Sequence, residues 1–259
     1  GGIEGGRAVA RASAQGLKPA QLELGGHSPL VVMPDADPDR VAAAARGLLT
    51  TINGQWCRGL GRLILPADRA ADHMDAIAAA LGEVRIGDPL DPATDMGPLC
   101  HSEHLAVVTG QIAELEAAGG TAVRTTPVPD GPGNWLSPTL ITGLDASRTD
   151  DEVFGPVASV LEYRDVDHAV ALANDTRYGL EAYVVGDDED AAMAVARRVR
   201  AGGVKVNGVS PISLHLMAPR PAFGVSGLTE EGTIETITFF GGNRVAGVES
   251  SLGSEPAPG

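Results

Sequence analysis

Three short stretches of this chain carry side chains that could act together: "LELGGHSP" holds Glu23, "NGQWCRG" holds Cys57, and "DDEVFGPV" holds Glu152 and Phe154. A cysteine thiolate attacks carbonyl carbon, and its adduct must later be released by water, which a nearby carboxylate can activate. A cysteine paired with a glutamate therefore suits oxidation or hydrolysis at a carbonyl. Position alone leaves other readings open. Cys57 reads as well as a buried, inert thiol, Glu23 as a solvated carboxylate, and the Gly155-Pro156 pair as the maker of a turn. The chain has only two cysteines, Cys57 and Cys100, with no CxxC spacing and no His/Cys cluster, so neither a disulfide framework nor a zinc site is expected. The six histidines are scattered without ligand spacing, and no metal is expected. Cys100, in "MGPLCHSEH", has no base or glycine-rich loop beside it and reads as structural.

The elements around these residues can be read from periodicity. "RAVARASAQGL" (7–17) is Ala-rich and helical, and "AQLELGG" is a short strand ending on paired glycines. "SPLVVM" is a buried strand. "DADPDRVAAAARGLLTTING" opens on acids and places Val41, Ala44, Ala45, Leu48, Leu49 and Ile52 on one helix face. That helix delivers the chain to Cys57, and "GRLILP" follows as a strand. Helices are expected at 67–81 and 102–118, and strands at 121–124 and 138–142. Strand "VASVLEY", helix "VDHAVALAND", strand "LEAYVVG", helix "DEDAAMAVARRVRAG" and strand "GGVKVNG" complete the alternation, which predicts an α/β fold with a mainly parallel sheet flanked by helices. Cys57 and Glu23 then lie at strand ends beside glycines, where ligands of α/β proteins gather. After Val209 the pattern loosens, with a strand expected near "NRVAGV" and disorder over 249–259.

The bulk composition sets limits. Across 259 residues, 43% are hydrophobic and 20% charged, an ordinary globular balance with room for a large core. A formal charge of −15 with no basic run makes nucleic acid and anionic membranes poor partners. No apolar run reaches the roughly 18 residues of a membrane span, and two cysteines without a disulfide pattern fit a reducing, cytoplasmic setting. The chain opens on Gly1 rather than Met, inside a glycine-rich motif, so a preceding segment is expected.

Taken in order, "LELGGHSP" with "DAD", "NGQWC" with Arg62, "DPATDMGPL", "SPTLI", "DEVFGPV", "NDTRYGLEAYV" and "GGVKVN" resemble the aldehyde dehydrogenase superfamily from Gly1 to about Val248. The resemblance implies a remnant of an NAD(P)-binding domain at 1–24, a catalytic domain at 25–222, and a C-terminal return with an oligomerisation strand at 223–248, followed by the tail at 249–259. It implies that Cys57 forms a thiohemiacetal with an aldehyde, that NAD or NADP takes a hydride, and that Glu23 activates the water that hydrolyses the resulting thioester. Glu152 matches the carboxylate that binds the nicotinamide ribose and Phe154 the ring beside the nicotinamide. Gly1, Gly2 and Gly6 match the glycine-rich turn near the pyrophosphate. The Cys57 N–H matches one oxyanion donor. A homodimer or homotetramer is implied for the full-length protein. Because the family's cofactor domain lies largely upstream, this chain alone is expected to bind NAD poorly and to be inactive with it. The alternative is a cofactor-independent thiol hydrolase or an inert structural fragment. Some positions depart from the family pattern. His27 stands where a Lys is common and reads as a surface change, and His104 and Val107 stand where adenosine-ribose contacts are common. Trp56 and Arg58 flank the nucleophile as weak pocket candidates: Arg58 could lower the thiol pKa, receive an acidic aldehyde, or form a salt bridge facing away. "PAFGVSGLTEEG" is shorter than the family's pattern there, which leaves room for a different lid.

Overall fold

Contiguous runs of apolar, often β-branched residues become the centre of one sheet, because strands covered on both faces have no polar side to show water. The computed structural model describes every residue except 212, 213, 216, 229, 243 and 249–259. Its chain begins with helix α1 (Ile3–Gln15) and the two-residue strand β1 (Leu22–Glu23), then strand β2 (Ser28–Val32), helix α2 (Pro38–Thr50) and strand β3 (Leu60–Pro66). Helices α3 (Ala70–Gly82) and α4 (Ser102–Ala117) precede strands β4 (Thr121–Val123), β5 (Thr139–Thr142) and β6 (Val157–Tyr163). Helix α5 (Val166–Asn174), strand β7 (Glu181–Val185), helix α6 (Glu189–Ala196) and strand β8 (Gly203–Val206) complete the alternation.

The seven-stranded sheet has the order β4-β5-β6-β3-β2-β7-β8. Every neighbouring pair is parallel except β4 with β5. Alternate residues of β2 and the residue after it feed different cores: Leu30 and Val32 pack with α2 and α3, Val31 and Met33 with α5 and α6. Helix α2 starts at Asp37, whose side chain accepts the Arg40 N–H at 3.0 Å, with Pro38 just inside. Its expected face is buried from Val41 to Leu49, but Ile52 is 62% exposed. The helix ends at Thr50, and Ile52 and Asn53 turn into the left-handed region with φ of 51° and 55°.

The strands bring their amino ends, not their carboxyl ends, to the candidate site. Glu23–His27 precede β2, Cys57 and Arg58 precede β3, Glu152–Pro156 precede β6, and Glu181 opens β7. Ligands of open parallel sheets usually sit at the carboxyl ends, so the strand-end expectation holds here for the opposite edge.

The C-terminal part folds back onto the start. Residues after β8 form strand β9 (Arg220–Pro221), a short turn at Gly224–Ser226, strand β10 (Gly227–Leu228), strand β11 (Glu230–Glu231) and helix α7 (Thr233–Gly241). Strand β10 pairs antiparallel with β1, and the Leu24 N–H donates to the Ser226 carbonyl at 2.9 Å. The sequence reading missed α7, because its Thr/Ile/Phe content favours strands and its ends lack capping side chains. Arg244–Val248, the described part of the strand expected near "NRVAGV", form no strand. The tail expected to be disordered lies outside the described residues. Among the described residues, no helix is long and apolar enough to cross a membrane.

Candidate active site

The nucleophile candidate sits on a connection that only a special backbone can make. Ile52, Asn53 and Gly54 all have positive φ, and a Cβ at residue 54 would collide with the Gly155-Pro156 backbone. Asn53 pins the turn, accepting the Gly97 N–H at 2.8 Å and donating to the Pro98 carbonyl at 3.1 Å. Gln55 Oε1 accepts the Cys100 N–H at 3.0 Å. Cys100 itself is exposed rather than part of the core. Trp56 Nε1 donates to the Leu48 carbonyl at 3.3 Å, which ties the loop to the end of α2. Trp56 is thus an anchor on the core side.

Cys57 is a half-buried free thiol. Burial pushes its pKa up, the Glu23 and Glu152 carboxylates push it further up, and the Arg58 guanidinium and its own backbone N–H pull it down. Glu23 is likewise raised by burial, against the opposing pull of Arg58, and its Oε1 is buried without a hydrogen bond. Arg58 Nη2 lies 3.6 Å from that oxygen, while Nη1 donates to Glu181 Oε2 at 2.8 Å. Of the alternatives left open for Arg58, a salt bridge forms, but it reaches the base candidate Glu23 rather than facing away, and the guanidinium also pulls the thiol pKa down.

Two glycines allow these parts to meet. A side chain at residue 25 would collide with the Glu152 carboxylate, and one at residue 26 with the Cys57 carbonyl. The Gly26 N–H donates to Glu152 Oε1 at 3.0 Å, and burial raises the Glu152 pKa. Gln111 Nε2 holds the Glu152 carbonyl at 3.2 Å. Phe154 is 39% exposed, its carbonyl contacts His104 Nε2 at 2.6 Å, and its ring meets the His104 ring edge-on. Val107, on α4, is exposed.

His27 is not a surface residue: it is 5% exposed. Its Nε2 lies 2.6 Å from the Thr149 carbonyl, which can only accept, so Nε2 carries the proton and Nδ1 is left without a partner. Burial drives its pKa down to about 3, so the ring is neutral. Next to the glycine pair it is packing rather than charge, and Gly61 supplies the space for it.

Helix α1 begins after Gly2 with no side-chain cap, and both Gly1 and Gly2 are exposed. The amide donors of its first turn therefore have no capping side chain, as an anion site requires. Glu4 in that turn is offset by Arg7 at 2.6 Å. Gly6 is buried where any side chain would run into Leu24, which seats α1 against the strand end carrying Glu23. An uncapped helix start, a half-buried carboxylate at Glu152 and an exposed ring at Phe154 fit a nicotinamide dinucleotide.

The model of the aldehyde dehydrogenase family matches residues 1–244. The chain belongs to the aldehyde dehydrogenase family. It is 37% identical over 246 residues to geranial dehydrogenase of Castellaniella defragrans, covering 92% of this chain and 49% of that one. It is also 37% identical over 207 residues to succinate-semialdehyde dehydrogenase (NADP+) 1 of Mycobacterium tuberculosis, covering 79% and 45%. A crystal structure of betaine aldehyde dehydrogenase from Staphylococcus aureus in complex with NAD+ has a TM-score of 0.85 and 29% identity, over 90% of this chain and 47% of that one. The chain spans about half the length of these relatives.

Within this aldehyde dehydrogenase fold, sequence reasoning missed two residues of the Arg58 cluster. Glu181 is 4% exposed and Lys205 5%, with Lys205 Nζ 3.7 Å from Glu181 Oε1. The available signal was a charged residue inside each of two otherwise apolar strand runs, "LEAYVVG" and "GGVKVNG".

Proposed function

We propose that this chain carries the chemical centre of an NAD- or NADP-dependent aldehyde dehydrogenase, with Cys57 as nucleophile and Glu23 as general base. The observation that carries the reading is the junction at Gly25-Gly26, which abuts the Cys57 main chain on one side and the Glu152 carboxylate on the other, with Glu23 close enough to oppose ionisation of the thiol.

The thiol is held protonated by burial and two carboxylates, so attack needs a base, and Glu23 is raised in the direction that makes a carboxylate a better proton acceptor. The Cys57 proton passes to Glu23, directly or through water, as Sγ bonds to the carbonyl carbon. The Cys57 N–H is the oxyanion donor this chain offers. A nicotinamide cofactor, when bound, accepts the two electrons whose loss turns the Cys57 thiohemiacetal into a thioester. Glu152 would receive the ribose hydroxyls, Phe154 would face the nicotinamide, and the amides after Gly1 and Gly2 would receive the pyrophosphate. Glu23, having first released the Cys57 proton to solvent, takes a proton from water as oxygen adds to the thioester carbon. The C–S bond breaks, a carboxylic acid leaves, and Cys57 returns to the thiol. The relatives' names span an apolar aldehyde, geranial, and an acidic one, succinate semialdehyde. We extend the proposal to a homodimer or homotetramer in which Arg244–Val248, exposed in the single chain, pair with an edge on a second copy.

An activated ester tests the centre without a cofactor. 4-Nitrophenyl acetate should acylate Cys57, and Glu23→Gln should accumulate the acetyl adduct by intact mass, with deacylation slowed about 100-fold or more. Cys57→Ser should show no adduct in a Cys100→Ser background. Equal deacylation rates with and without the Glu23 carboxylate would remove it from the proposed role.

A further inference from the structure

The ion pairs beside Cys57 form a linked set organised by β7. Residues 181 and 183 share one face of that strand, and both hold Arg58: the Tyr183 hydroxyl donates to the Arg58 carbonyl at 2.8 Å, and Glu181 Oε2 accepts from Nη1 at 2.8 Å. The sheet makes room for this carboxylate, since the register partner of Glu181 is Gly203, where a Cβ would lie 2.8 Å from Oε2. The other Glu181 oxygen faces Lys205 at 3.7 Å.

A cavity of about 170 Å³ opens beside Arg58, the residue after Cys57, and among the described residues its cations are Arg58, Lys205 and Arg220. Each already has a carboxylate: Arg58 has Glu181 and Glu23, Lys205 has Glu181, and Arg220 has Glu231 at 3.2 Å. Among the described residues, these three cations are matched by the carboxylates of Glu23, Glu181 and Glu231. Leu180, Val204 and Pro221 give the cavity apolar wall, and its volume is comparable to that of apolar cavities that take a benzene-sized guest. An anionic substrate would have to displace a carboxylate from a buried pair and leave that charge uncompensated.

We propose that Glu181 is the specificity-determining residue of this site: by keeping Arg58 and Lys205 in ion pairs it withholds positive charge from the substrate and fits the site to an aldehyde bearing no carboxylate or phosphate. The inference rests on Cys57 being the nucleophile.

The test is alkylation of Cys57 in a Cys100→Ser background by iodoacetamide, which is neutral, and iodoacetate, which is anionic. In both reactions Sγ bonds to the methylene carbon, iodide leaves and the thiol proton goes to solvent. The ratio of the two rates, read by intact mass at one pH, cancels any change in thiol ionisation. The full chain should favour iodoacetamide. Glu181→Gln should raise the iodoacetate-to-iodoacetamide ratio about three- to tenfold, and adding Arg58→Gln should return it to the starting value. A ratio unchanged in Glu181→Gln overturns the proposal. If that variant does not fold, Arg58→Gln with Glu181 intact serves instead: it should lower the ratio below that of the parent chain, and no change again overturns the proposal. A Cys57 inert to both reagents in the parent chain defeats the nucleophile reading itself, a result distinct from an unchanged ratio.

Discussion

Arg58 and Arg62 stand near the same edge of the sheet, within one short stretch of chain, yet they belong to two different regions. The Arg58 side chain is 13% exposed and is held by carboxylates, Glu181 and Glu23. Arg62 is 1% exposed and is held by carbonyls: Nη1 donates to Leu172 at 2.7 Å, Nη2 to Ala173 at 3.0 Å, and Nε and Nη2 to His27 at 3.3 and 3.2 Å. Two of those carbonyls end α5, where the helix dipole favours a cation. Burial draws the Arg62 pKa down to about 10, which still leaves it charged at neutral pH. A cation held by main-chain dipoles ties β3, α5 and the glycine-pair segment together and gives up nothing to a ligand. A cation held by carboxylates tunes the ionisation of its neighbours, here Cys57 and Glu23.

The comparison can be broken from the buried side first, at His27, whose carbonyl Arg62 holds. Its pKa is about 3 in the folded chain against 6.5 for the free side chain. Between those values the unfolded chain binds a proton that the native one does not. The stabilisation is therefore complete above pH 6.5 and is lost as pH falls toward 3, on the order of 5 kcal/mol in all. Urea unfolding of the parent chain and of His27→Gln should give stabilities whose difference shrinks across that window. A constant difference would mean the ring is not held neutral.

Arg62→Leu should cost about 3 kcal/mol, because several buried carbonyls lose their donor at once. It should leave the iodoacetate-to-iodoacetamide ratio at Cys57 where it was. A folded Arg62→Leu chain with an altered ratio would merge the two regions.

The smallest effect sharpens the Arg58 side. The pH midpoint for Cys57 alkylation should lie above that of an ordinary thiol, because burial and nearby carboxylates disfavour the thiolate. Glu23→Gln should move it down and Arg58→Gln up, by about one unit or less for groups this close to solvent. Shifts in the same direction for both variants would contradict opposite charges acting on one thiol.

Much of the fold was readable in advance, and the reason is visible in particular elements. Strands β2, β6 and β7 are runs such as "SPLVV" and "EAYVV", buried on both faces. Helices α2, α5 and α6 begin on Asp37, Asp165 and Asp188, each of which caps its own first turn. Such signals are local, so the helix starts hold within a few residues, while α6 stops at Ala196, six residues short of the expected Gly202. Helix α1 begins four residues earlier than the Ala-rich stretch suggested, since Gly5 and Gly6 stay helical when the buried Gly6 packs on Leu24. The ordered motifs pointed to the family. Ile52 and His27 were misread because their burial depends on the turn after α2 and on Thr149, which lies far along the chain.

Residue types and their order were enough to name the family and to single out Cys57, Glu23, Glu152 and Phe154, because strand and helix periods and motif spacing are written along the chain. Three things came only with the third dimension: that the site lies at the amino ends of the strands, that Arg58 is already paired, and that Glu181 and Lys205 pair with it or beside it. The Arg58 contacts with Glu181 and Tyr183 join residues more than a hundred positions apart, and a parallel sheet fixes such neighbours through its strand order and register, which no local pattern encodes.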